Sequence, residues 1–116
     1  MQEGVKALIL VGKHSKKNYQ FCIASHLKLD MKAVSQITGE KCEFETPEVI
    51  EKRFGLKIGG IPPFGNLLNL DTFYDDQLQQ LSVVSFNCGL RTESIRMSAK
   101  QLFEAVQPKF MGFSKE

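Results

Sequence analysis

Seven consecutive residues, Gly59-Gly60-Ile61-Pro62-Pro63-Phe64-Gly65, restrict the folding of this chain more than any other stretch. Glycine opens backbone conformations closed to other residues and lets a ligand approach the main chain. Proline fixes φ and removes an N–H donor. Ile61 before Pro62, and Pro62 before Pro63, are both pushed toward extended backbone. The segment is therefore a stiff loop with bare backbone at its glycines. Proline and glycine clusters commonly mark turns between elements. One such residue is enough for a turn, and five together leave room for a second role as the wall of a binding site.

The flanks read as alternating strands and helices. Val5 to Val11 is short, almost continuously apolar and bounded by glycines, which fits a buried strand. Tyr19 to Ala24 is rich in β-formers, and the polar Lys13 to Asn18 between the two predicts a hairpin. Asp30 caps a helix through Ile37 that Gly39 stops. Thr46-Pro47 opens a second helix with Glu48 in its first turn, a buried face of Val49, Ile50 and Phe54, and Gly55 at its end. Leu67 to Leu70 is a strand candidate, and Asp71 caps a brief irregular helix through Leu81. Ser82 to Asn87 and Ser94 to Met97 are further strands. Ser98 caps a last helix, Ala99 to Val106, closed by Pro108, and residues 109–116 read as a tail. The class is α+β, with a mixed sheet curled toward a barrel and helices packed outside it.

With 116 residues and no repeat or linker, the chain reads as one domain over 1–116. A net charge of +2 does not by itself imply a nucleic-acid or membrane partner. Residues 1–58 carry ten Lys/Arg against seven Asp/Glu, so positive charge gathers in that half. Cys22, Cys42 and Cys88 are odd in number and lack a CxxC pair, which fits reduced thiols rather than a zinc or disulfide framework. No apolar run approaches a membrane span and no leader pattern opens the chain, so a cytoplasmic location is expected.

The usual catalytic constellations are missing: no GxSxG, no HExxH, no phosphate-binding GxxxxGK[ST]. His14 and His26 lie outside metal-pair spacing and read as surface residues, so neither a metal nor a cofactor is expected. Cys88 has no histidine placed to activate it and reads as an inert thiol. Lys6 interrupts an apolar strand. It is either a lysine snorkelling to water or a cation held beside a pocket for a phosphate or carboxylate. Asn87-Cys88-Gly89-Leu90-Arg91 is either a hairpin connection or a source of a side-chain amide and backbone N–H groups. Lys13, Lys16 and Lys17 form a small basic patch at the expected hairpin tip. It is either solvated or in contact with a phosphate backbone.

Lys6 opening an apolar strand, then Gly59 to Gly65, then Asn87 to Arg91, resemble in order and spacing the YbaK/ProX-type aminoacyl-tRNA editing domain family. That family includes free-standing trans-editing deacylases and the editing insertion of bacterial prolyl-tRNA synthetases. Lys6 looks like its motif lysine and Gly59 through Pro63 like its Gly-x-x-x-Pro loop. Leu70 to Leu78 is similar to the strand-Asp-turn-Leu segment that follows. The resemblance runs from about Val5 to Val106. It implies hydrolysis of the ester joining a wrong amino acid to the 3′ end of a tRNA. Lys6 would engage the terminal adenosine or its phosphate. Gly59 and Gly60 would hold the ester carbonyl, and Ile61, Pro62, Pro63, Phe64, Gly65, Asn87 and Gly89 the aminoacyl group. The nucleophile would be water or a hydroxyl or thiol of the substrate. The implied partners are the acceptor end of a mischarged tRNA and an aminoacyl-tRNA synthetase.

Two departures bear on activity. Pro62 stands where members commonly carry Ser or Thr, which removes a hydroxyl and an N–H. The chain also starts only five residues before Lys6 and is expected to be short at its N-terminus. Both motivate an alternative: a non-catalytic module of the same fold that binds aminoacyl-tRNA or docks on a synthetase.

Overall fold

The computed structural model describes residues 3–57, 60–88 and 90–116, with the side chains of residues 88 and 90–93 left aside. Strand β1 (Val5–Gly12) pairs antiparallel with β2 (Asn18–Ala24) over the full register from Val5↔Ala24 to Val11↔Asn18, forming the expected hairpin. β2 is buried along its whole length, so both of its faces are covered.

The two faces diverge by the period-2 rule. Phe21 and Ile23, with Leu10 from β1, point to one core, where helix α1 (Met31–Thr38) contributes Val34. Phe21 stacks on Phe73 at 4.9 Å and meets Phe113 edge-on at 4.9 Å. Cys22 and Ala24, with Val5, point to the other core, shared with Tyr74, Val84, Leu102 and Val106.

The helices begin and end on local chemistry. Asp30 accepts from the N–H groups of Lys32 and Ala33, and Gly39 closes α1 at φ 81°. Helix α2 (Pro47–Phe54) has Thr46 as cap, proline in its first turn and Gly55 at φ 69°. Helix α3 (Ala99–Val106) is capped by Ser98 and buries Leu102 and Val106.

Short strands β3 (Lys28–Leu29) and β4 (Cys42–Phe44) follow β2 and α1 respectively. The segment expected as a strand at Leu67 to Leu70 and a helix from Asp71 is arranged differently. Gly65–Leu68 is a 3₁₀ turn, Asp71–Asp75 is strand β5, and the cap is Asp75, opening a second 3₁₀ turn at Asp76–Gln80. β5 is drawn into the sheet by parallel pairing with β2, which places Phe73 in one core and Tyr74 in the other. Strands β6 (Val83–Cys88) and β7 (Leu90–Ser98) form a ribbon; β7 is longer than the expected Ser94 to Met97.

Residues 109–116, expected as a tail, are docked. β8 (Lys109–Met111) pairs with β5, and β9 (Ser114–Lys115) pairs with β3. Asp75 holds this end through the N–H groups of Phe113 and Ser114 and the Ser114 hydroxyl.

The main sheet is mixed, in the order β4-β1-β2-β5-β8. The architecture is therefore α+β as expected. The expected curl does not become a barrel: among the described residues the sheet stays open at β4 and β8. Among the described residues no helix is long and apolar enough to cross a membrane.

Candidate functional site

The site begins with the outer edge of β1. At one end β4 covers only Leu10–Gly12, and the Glu45 N–H donates to the Ile9 carbonyl at 3.0 Å. At the other end the Ser85 N–H donates to the Glu3 carbonyl at 3.0 Å, within a parallel bridge between Gly4 and Ser85. From there β6 diverges from β1, and among the described residues no strand pairs with the edge in between.

The wedge is a cavity of about 530 Å³. Residues 4–9 form one wall and Ser85, Phe86 and Asn87 the facing wall. Ile50 of α2 and Ile61 close it with apolar surface, packed with Ile9. Lys6 is half-buried on this wall, and Asn87 accepts from the Ser94 hydroxyl at 3.1 Å. Lys6, Ile61 and Asn87, far apart in the chain, thus line one space.

Among the described loop residues, Ile61 alone lines the cavity. Its neighbours are pinned against the sheet behind it. Gln20, fully buried, donates from Nε2 to the Pro62 carbonyl at 3.0 Å and accepts the Gly65 N–H at Oε1 at 2.8 Å. The Tyr74 hydroxyl donates to the Pro63 carbonyl. Burial pushes the Tyr74 phenol well above its ordinary range, so it stays a donor. Phe64 meets Phe86 edge-on at 5.8 Å. Gly65 is required by space: a Cβ there would collide with the Thr72 hydroxyl and Gln20. The Gly60 N–H donates to the Lys57 carbonyl at 2.9 Å. Gly59 and Gly89, both named as site candidates, lie outside the described residues.

Lys13, Lys16 and Lys17 are exposed on the hairpin tip, away from the cavity. Lys17 pairs with Asp71 at 2.6 Å and Lys13 with Glu43 at 3.9 Å. Glu40 fixes the tip by accepting from the Ser15 hydroxyl and from the N–H groups of Ser15 and His14; Tyr19 adds a fourth donor. These bonds, led by the Ser15 hydroxyl, lower the Glu40 carboxyl to about 2. Among the described residues no three of His, Cys, Asp and Glu gather in a metal-holding group. Cys22 is buried, and burial pushes its thiol well above the usual range, which makes it inert at neutral pH.

The sequence does not mark Gln20 and Tyr74 as site residues. Gln20 reaches residues 42 and 45 positions on, and Tyr74 one 11 positions back; a polar glutamine inside an apolar strand is the signal that the sequence carries.

A family model described as the aminoacyl-tRNA editing domain matches residues 1–105. The chain belongs to that family. YwhH of Bacillus subtilis (strain 168), an uncharacterized protein, is 31% identical over 81 residues, covering 70% of this chain and 52% of its own. The match thus spans about half the length of that curated relative. The crystal structure of a candidate trans-editing enzyme for prolyl tRNA synthetase superposes with a TM-score of 0.88 at 25% identity, over 99% of this chain and 72% of its own. The hypothetical protein APE2540 superposes with a TM-score of 0.87 at 21% identity, over 98% and 75% respectively, a likeness of fold.

Proposed function

We propose that this editing domain is a trans-acting aminoacyl-tRNA deacylase, hydrolysing the ester between a wrong amino acid and the 3′ end of its tRNA in the wedge between β1 and β6. Family membership and the trans-editing neighbour support editing in general. The observation that carries the finer reading is that Lys6, Ile61 and Asn87 line one cavity of a size suited to an aminoacyl group.

In this reading the Lys6 ammonium attracts the terminal phosphate at the cavity mouth. The Gly60 N–H is spent on the Lys57 carbonyl, so of the two glycines the donor role toward the ester carbonyl falls to Gly59. Ile61, Asn87 and Gly89 surround the aminoacyl group, and Pro62 to Gly65 hold Ile61 in place. Water adds to the carbonyl carbon; where a side-chain hydroxyl or thiol of the substrate adds instead, the amino acid leaves as a cyclic ester or thioester that water then opens. The tetrahedral intermediate then collapses with cleavage of the C–O bond, and the ribose oxygen takes the proton. Positioning and electrostatic stabilisation supply the rate. Lys13, Lys16 and Lys17 meet acceptor-stem phosphates, and a synthetase delivers the charged tRNA in the cytoplasm.

The test is amino-acid release from a panel of mischarged tRNAs that includes alanine, cysteine and serine. Release above buffer is expected for at least one pairing, and Lys6→Ala should slow it roughly 100-fold, the scale of one lost electrostatic contact in a transition state. A panel without release, alongside retained tRNA binding, would replace the enzyme with a binding module of the same fold.

A further inference from the structure

Among the described residues the edge of β1 between Gly4 and Ile9 is unpaired, and it has a defined polarity. The N–H and C=O of one strand residue point to the same side, and successive residues alternate. The Gly12 N–H is bonded to Lys17 on the β2 side, while Ile9 C=O and Lys13 N–H are bonded on the β4 side. Odd-numbered residues therefore face outward, and Ala7 turns both its N–H and its C=O into the cavity between the anchored ends at Gly4 and Ile9. A bare edge is something folds normally cover; here β4 stops short and β6 swings away.

An α-amino acid ester carries a donor ammonium and an acceptor carbonyl on one residue. Opposed residues of an antiparallel ladder exchange both N–H···O=C bonds. We infer that the aminoacyl group docks on Ala7 as a one-residue antiparallel strand. The Ala7 N–H donates to the ester carbonyl oxygen, and the Ala7 carbonyl accepts from the α-ammonium. The inference rests on the deacylase reading of the same cavity. Paired residues project side chains to the same face, so the substrate side chain follows that of Ala7, which packs with Ile9, Ile50 and Ile61. Ala7 thus reads the amino-acid backbone, and the isoleucines select a small uncharged side chain. The Ala7 N–H bond strengthens as the carbonyl oxygen gains charge.

Cys22 permits ligation of a synthetic segment 1–21 to a recombinant segment 22–116, with an ester replacing the amide between Lys6 and Ala7. The Ala7 N–H lies outside the β2 ladder, so folding should survive its loss. Alanine release should fall about 100-fold, and release at the full rate would overturn the inference. A second measurement uses the intact chain: with 3′-alanylamino-3′-deoxyadenosine, whose amide resists hydrolysis, the Ala7 amide signal should shift and its hydrogen exchange slow. Wild-type release with an unmoved Ala7 signal overturns the docking mode and leaves the deacylase standing. A chain that neither releases amino acid nor binds the analogue overturns both.

Discussion

Gln20 shows how much of the candidate site depends on single side chains beneath it. Both ends of its amide are spent on the loop, at Pro62 and Gly65. Gln20→Leu would strand a buried N–H and a buried carbonyl, at a cost of about 3 kcal/mol, read as a lower urea midpoint. Ile61 would lose its anchor with it. Nothing in the sequence points Gln20 at Gly65, because the bond joins residues 45 apart. Glu40 gives a prediction of another kind. Its folded pKa of about 2 lies below the ordinary 4.5, so its stabilisation of the hairpin tip is complete above pH about 4.5 and is lost as pH falls toward 2. The His14 and Ser15 amide signals should titrate near 2. Titration at the ordinary carboxylate value would show that the tip is not held this way.

At the scale of elements, local chemistry accounts for what could be read in advance. Asp30 with Gly39, Thr46-Pro47 with Gly55, and Ser98 are each complete signals within a few residues, and all three helices sit where those signals put them. Asp71 to Asp75 misleads because it carries an acidic residue at each end. Asp75 is the cap, and parallel pairing with β2 decides that the residues before it are strand. Residues 109–116 mislead for a related reason. Their order comes from partners far back in the chain: β5, β3 and the buried Asp75 carboxylate. Asp75→Ala would remove the oxygen that accepts from the Phe113 and Ser114 N–H groups. Amide exchange at Phe113 and Ser114 should then speed up at least tenfold, while α1 stays protected. Unchanged exchange at those two amides would mean that the strand pairing alone holds the C-terminal segment.

At the scale of the molecule, the cavity is a property of strand arrangement rather than of any motif. Lys6, Ile61 and Asn87 are recognisable one by one in the sequence. Their common space exists because β6 bridges β1 at Gly4 and then leaves it. The basic tip stands apart from that space, and in the proposed reading it serves binding rather than chemistry. Lys16→Ala should therefore reduce the salt dependence of tRNA binding by about one phosphate contact, a slope change of roughly 0.7 to 0.9, without altering single-turnover release. The cavity itself is best tested by filling it. Asn87 is exposed and lines the wall opposite β1, so Asn87→Trp should occlude the wedge while leaving the fold and tRNA binding intact. Single-turnover release of amino acid from mischarged tRNA is predicted to fall at least 100-fold in this variant; release at the wild-type rate would place the chemistry somewhere other than the wedge between β1 and β6.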